Sequence, residues 1–266
     1  MENKTYRVDL HNHTYLCNHA NGEIEEYVKK AIELGIDVYG FSEHAPMKNF
    51  EDGYRLTLDK KEFYENSILD LKEKYKNDIE ILLAYEVDFI DGDFILDEIL
   101  KSKVDYLIGS VHYLGKWGFD NPEFISEYKN RDIDTIWSEY FRAIELMAKS
   151  GKFDIVGHLD LIKVFKFLPK KDVRVIAKDA LQAIKQSNMA IEINAAGYRK
   201  PIGEQYPSRG LLEVAFELDI PISFSSDAHE IEQIGYEYIK NTTLAKQIGY
   251  KKCTIYSSRD KKLVTF

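Results

Sequence analysis

Seven short apolar runs, each followed by a longer stretch with apolar residues at helical spacing, constrain the fold of this 266-residue chain more than any other feature. The runs fall at 7–10, 38–42, 79–85, 106–111, 155–157, 190–194 and 222–226. Nearly continuous apolar strands are buried on both faces, which predicts a parallel sheet covered by helices. Helices are expected at 24–34 (stopped by Gly35), 94–100, 133–149, 173–186, 210–218 and 238–248. One more, capped by Asp59, would carry Phe63, Ile68, Leu71 and Tyr75. An open doubly wound sheet would carry a glycine-rich phosphate loop after its first strand, and none is present. The expected architecture is an α/β fold, a seven-stranded (β/α)7 barrel spanning 1–266 as one domain.

A barrel gathers the C-terminal ends of all its strands on one face, where active sites of this architecture sit. All seven histidines of the chain lie at those ends or in the loops beyond them. His11 and His13 end the first strand, two residues apart and therefore on one side of it, and His19 follows in the loop. His44 follows the second strand, His112 the fourth, His158 the fifth and His229 the seventh. Any one of them reads most simply as a packing or surface residue. Together they read as one polynuclear metal site, since neutral imidazole is a common metal donor. Glu86 ends the third strand and Asp227 the seventh, and a carboxylate at the end of a buried strand needs a cation or a partner. A carboxylate can also bridge two metals.

Composition narrows the class. Hydrophobic residues at 44% and charged ones at 30% describe an ordinary globular chain with a sizeable core. A net charge of -9 argues against a nucleic-acid surface. Two distant cysteines, Cys17 and Cys253, make no disulfide framework, and Cys17 reads as a small packing residue. Without a signal peptide or a run long enough to span a bilayer, a cytoplasmic, membrane-free protein is expected. There are no heptads and no partner-binding tail.

The order HxH, SEH (42–44), Glu86, His112, GHxD (157–160) and SDAH (226–229) resembles the PHP (polymerase and histidinol phosphatase) family over nearly the whole chain. The resemblance implies a distorted seven-stranded barrel of the PHP type with two or three divalent ions, Zn, Mn or Fe. It places His11, His13, Glu86 and Asp227 around one ion. Glu86 would share a second with His112 and His158, and His19, His44 and His229 would hold a third. Within the family, chain length and the segments 192–200 and 206–208 are most similar to monofunctional histidinol-phosphate phosphatases.

That similarity implies hydrolysis of a small phosphomonoester, L-histidinol phosphate, in histidine biosynthesis. A metal-bridging hydroxide would attack phosphorus, and Asp227 or His229 would protonate the leaving group. Arg199, just beyond the sixth strand, is the expected phosphate ligand, with Lys163 and Arg209 as further contacts. Glu43, beside His44, is expected to meet the substrate's ammonium, and Tyr113, beside His112, to line the site. A phosphoesterase acting on nucleotides or phosphotyrosine is the alternative enzyme. A metal-storing or regulatory barrel is the alternative outside enzymes.

Overall fold

The strands form where the apolar runs place them. In the computed structural model, which describes residues 4–266, they are β1 (Val8–Asp9), β2 (Val38–His44), β3 (Glu80–Asp88), β4 (Tyr106–Ser110), β5 (Tyr113–Leu114), β6 (Trp117–Gly118), β7 (Ile155–Val156), β8 (Ala190–Asn194), β9 (Ile222–Ser225), β10 (Lys252–Ser257) and β11 (Asp260–Thr265). The helices are α1 (Ile24–Glu33), α2 (Lys61–Lys74), α3 (Asp97–Leu100), α4 (Ile133–Lys149), α5 (Val173–Ile176), α6 (Lys178–Gln186), α7 (Arg209–Glu217) and α8 (Tyr238–Ile248).

Seven strands pair in the parallel order β1-β2-β3-β4-β7-β8-β9. The sheet then curls until its edges meet. Leu10 N donates to Phe224 O at 3.0 Å and Asp227 N to His11 O at 2.8 Å, with a parallel bridge between Asn12 and Ala228. Side chains from successive strands fill the interior, among them Val38, Leu82, Ala84, Tyr106, Ile108, Ile155 and Ala190. Across it the Tyr106 hydroxyl donates to the Leu10 carbonyl. Gly40 makes room for that ring, since a Cβ there would lie 1.8 Å from the hydroxyl. The helices bury one stripe each outside the sheet, as with Tyr27, Val28 and Ala31 of α1 or Ile136, Tyr140 and Ile144 of α4.

An antiparallel hairpin, β10–β11, closes the N-terminal end of the barrel. Cys253, Ile255, Tyr256 and Phe266 join the interior cluster. Arg259 N donates to Asp105 O at 2.8 Å and Arg259 Nε to Asp154 Oδ2 at 2.7 Å, binding the residues that lead into β4 and β7. The sequence reading contains no such hairpin.

Three local expectations are corrected. Asp59 lies inside a short 3-10 turn, Leu58–Lys60, ahead of α2 and caps nothing. On α2, Phe63 faces solvent, and Tyr64 takes the buried place because its hydroxyl can donate to Ala84 O at 2.9 Å. The segment 173–186 is two helices divided at Ala177. Among the described residues, no helix is long and apolar enough to cross a membrane.

Candidate metal centre

The register of the barrel delivers the donors to one end. His44 lies opposite Glu86 across the β2–β3 pair, and His112 and His158 follow β4 and β7. His11 Nε2 lies 3.3 Å from Glu86 Oε2 and 4.0 Å from Asp227 Oδ1. His13 Nε2 lies 3.6 Å and 3.3 Å from the same two oxygens. The other Glu86 oxygen, Oε1, faces His158 Nε2 at 2.9 Å and His112 Nε2 at 3.7 Å. Glu86 therefore stands between two groups of donors.

The remaining histidines form a less compact third group. His44 and His229 both pack against the His13 ring at centroid distances of 4.2 and 4.1 Å, and lie 5.9 Å from each other. His19 lies 4.5 Å from the His229 ring and 5.2 Å from that of His44. Donor atoms come within 4.8 Å of one another in the sets His11–His13–Asp227, Glu86–His112–His158, His13–His44–His229 and Cys17–His19–His229. His229 thus links His44 and His19. Cys17 is buried behind them, its thiol donating to Thr14 O at 3.1 Å.

These residues fit a metal centre by a test independent of the sequence pattern. His11 Nε2, His13 Nε2 and Glu86 Oε2 are buried and converge without a well-directed hydrogen bond, with His44 Nδ1 2.8 Å from the same Glu86 oxygen. Buried polar atoms are otherwise nearly always paired, so three orphans aimed together call for a cation. The far sides of four of these rings are tied down, which fixes the tautomer that leaves Nε2 free. His11 Nδ1 lies 2.9 Å from Glu192 Oε2, His13 Nδ1 3.3 Å from Glu43 Oε1, and His112 Nδ1 2.7 Å from Asp88 Oδ1. His19 Nδ1 lies 3.0 Å from Cys17 O. The backbone is strained at two of the residues, with φ of 21° at His158 and 52° at Asp227. Non-glycine residues held there cluster at functional sites.

Electrostatics follow from this crowding. Burial would raise Glu86, but His11, His44 and His112 hold its carboxyl well below the usual range. Burial likewise opposes ionisation of Asp227, and His11 and His13 override it. Burial lowers the His112 imidazole, yet the Asp88 and Glu86 carboxylates carry it up to about 10. His13 is lifted to about 9 against burial by Asp227 and Glu43. His44 is pushed down to about 4, by burial first and then by His13.

Above the donors opens a cavity of about 580 Å³, lined by His19, His44, Glu86, His112, His158, Asp227 and His229, and also by Arg55, Tyr113, Asp120, Phe124 and Arg199. Arg199 Nη2 donates to Ser226 O at 2.9 Å and Asp227 O at 2.8 Å, while Nη1 has no partner. Tyr113 lines the wall, its hydroxyl donating to Asp52 Oδ2 at 2.7 Å.

Three expected substrate contacts are corrected. Lys163 is buried and spends its ammonium on Glu204 and Gln205 O, both at 2.8 Å, and on Asp160 at 3.0 Å. Arg209 points along the outer helices, to Glu213 at 2.8 Å and Gln247 at 3.2 Å. Glu43 lies wholly buried behind His13 and accepts from Thr14 N at 2.9 Å and His44 N at 2.9 Å. It braces His13 instead of facing the cavity.

The sequence reading missed the bracing role of Glu192 and Asp88. The available signal was the one used for Glu86, a lone carboxylate in an apolar strand. Arg55 was missed too. It is buried in the cavity wall and donates to Asp88 Oδ2 at 3.1 Å, behind His112.

Residues 9–196 match the model of the PHP domain family. A protein from Deinococcus radiodurans named "probable histidinol-phosphatase" is 36% identical over 249 residues, 92% of this chain and 95% of its own. The histidinol-phosphatase of Bacillus subtilis is 28% identical over 260 residues, 86% of this chain and 96% of its own. The crystal structure of histidinol phosphate phosphatase from Lactococcus lactis, complexed with zinc, L-histidinol and phosphate, superposes with a TM-score of 0.80 at 23% identity. That superposition covers 97% of this chain and all of the other, and the likeness extends to the barrel as a whole.

Proposed function

The chain belongs to the PHP domain family, and from that premise we propose that it is a histidinol-phosphatase, a metal-dependent phosphomonoesterase that releases L-histidinol and phosphate from L-histidinol phosphate. The observation that carries the reading is the convergence of orphaned His11, His13 and Glu86 atoms beneath a cavity of substrate size. His11, His13, Glu86 and Asp227 would hold one divalent ion, and Glu86, His112 and His158 a second. His19, His44 and His229 would hold a third, with Zn, Mn and Fe all suited to imidazole and carboxylate donors. Bound there, such ions supply charge for the phosphoryl oxygens and acidify water.

The protein's own groups do the rest. Arg199 is anchored through Nη2 and keeps Nη1 for a phosphate oxygen, a permanently charged donor suited to that geometry. Glu192, Glu43 and Asp88 hold the imidazoles in one orientation, so little reorganisation is needed when charge builds up at phosphorus. Asp227 and His229 line the cavity and would relay to the leaving alkoxide a proton taken from water.

The test is steady-state hydrolysis of L-histidinol phosphate beside nucleotides and phosphotyrosine, on protein whose metals are counted by elemental analysis. Two or three ions and a strong preference for L-histidinol phosphate are expected. Preference for a nucleotide or phosphotyrosine would overturn the substrate, and metal-free, inactive protein after zinc or manganese addition would overturn the enzyme.

A further inference from the structure

The cavity has an anion-receiving side, made by the donor cluster and the unpaired Nη1 of Arg199. It also holds a carboxylate that this machinery leaves unused. Asp120 follows the β5–β6 hairpin in the segment after β4, and it lines the same cavity as His112 and His158. Among the described residues its side chain has no ion pair and no hydrogen bond to another residue, only one from its own backbone N–H. Of the other carboxylates that line the cavity, Asp52 is engaged with Arg55 and Tyr113 and Asp88 with Arg55 and His112, while Glu230 is exposed to solvent. A half-buried carboxylate facing a cavity without a side-chain partner is suited to counter-charge supplied by the cavity's occupant.

Its neighbours suit an organic cation rather than another inorganic ion. Tyr113, Phe124, Leu161 and Tyr206 line the cavity with it, giving apolar and aromatic surface beside one anionic group. Such surroundings favour a cationic nitrogen carried on a carbon skeleton. Arg199, after β8, and Asp120, after β4, flank His158, after β7. The site is therefore bipolar.

We propose that Asp120 is a specificity-determining residue that binds the cationic nitrogen of the leaving alcohol while Arg199 and the metal centre take the phosphoryl group. The inference rests on the phosphomonoesterase reading and takes it further, from a small phosphomonoester to one whose alcohol carries a protonated amine or imidazole. It also reassigns to Asp120 the ammonium contact that Glu43, buried behind His13, does not make.

The experiment compares the metal-loaded wild type with Asp120→Asn and Asp120→Ala on three substrates: L-histidinol phosphate, phosphoethanolamine, which keeps only the ammonium, and glycerol 3-phosphate, which has no cation. Both variants should keep the wild-type metal content. Removing a charged partner of this kind should lower kcat/KM for L-histidinol phosphate on the order of 10- to 100-fold, mostly through KM. Activity on glycerol 3-phosphate should stay within about twofold of wild type, as expected for a lost contact that glycerol never made. A loss on phosphoethanolamine equal to that on L-histidinol phosphate identifies the ammonium as the partner, and a loss confined to L-histidinol phosphate identifies the imidazole.

Equal losses on all three substrates would overturn the proposal and make Asp120 a structural residue. Unchanged kinetics on all three would overturn it as well. If the wild type prefers phosphoethanolamine over L-histidinol phosphate and Asp120→Asn abolishes that preference, the histidinol reading fails while the role of Asp120 stands.

Discussion

At the scale of single residues, the centre depends as much on what lies behind the imidazoles as on the imidazoles themselves. Glu192 accepts from the His158 amide at 2.7 Å and from Asn194 Nδ2 at 2.8 Å, besides meeting His11. In Glu192→Gln an amide NH₂ must face one of these donors. Metal affinity should fall about 10- to 100-fold, read by elemental analysis after dialysis against graded chelator. Arg199→Ala should lower kcat/KM by about 100-fold with metal content unchanged, by analogy with loss of one charge-stabilising donor. Lys163→Met and Arg209→Ala should leave KM for the phosphate ester near wild type, because neither side chain reaches the cavity.

The raised histidines also set a pH dependence. His112 and His13, at about 10 and about 9, lie above the ordinary imidazole value. Their stabilisation of the metal-free protein is complete below about pH 6.5, the unfolded value, and fades as pH rises through 9 and 10. The Tm of metal-free protein should therefore fall over that range. Loaded protein should not show the same fall, since an ion takes the place of the protons. Parallel curves for the two forms would sink this account.

At the scale of elements, the loop from β9 to α8 is held by a residue outside the donor set. Asp9, buried on β1, accepts from Ser226 N at 2.9 Å, from Asn12 Nδ2 at 3.2 Å and from Gly235 N at 3.1 Å, as well as from the Ser226 hydroxyl. It straps down both ends of the stretch carrying Asp227 and His229. Asp9→Ala should orphan several donors and destabilise the fold by about 2–3 kcal/mol, measured as a lower urea midpoint. The element pattern was largely legible in the sequence because parallel strands are apolar throughout, so all seven barrel strands stand out as runs. The β10–β11 hairpin was not. Lys251, Lys252, Lys261 and Lys262 make its sequence read as polar surface until Cys253, Ile255 and Tyr256 are seen to close the barrel. Donor residues were legible because they end strands. The reach of Lys163, Arg209 and Glu43 was not, since side-chain direction beyond a strand end depends on loops whose course the local sequence does not specify.

At the scale of the whole molecule, the barrel separates a sealed end from a working one. The hairpin seals the N-terminal face through Arg259, Asp105 and Asp154, and the open face holds the donors. Ions bound only by the folded chain should add about 2.7 kcal/mol at a hundredfold excess over Kd. Chelation should accordingly lower Tm, and zinc should restore it.

The seam where the sheet meets itself runs through this centre, because Asp227 N donates to His11 O and His13 N to Ala228 O. The two sides of that seam lie more than two hundred residues apart in the chain. A ribosome therefore releases the first half of the binding site long before the second exists, and early histidines must wait without their partners. Capture of the ion that His11, His13 and Asp227 would share then registers that the last barrel strand has found the first. It is a clasp that fastens only on a finished cylinder.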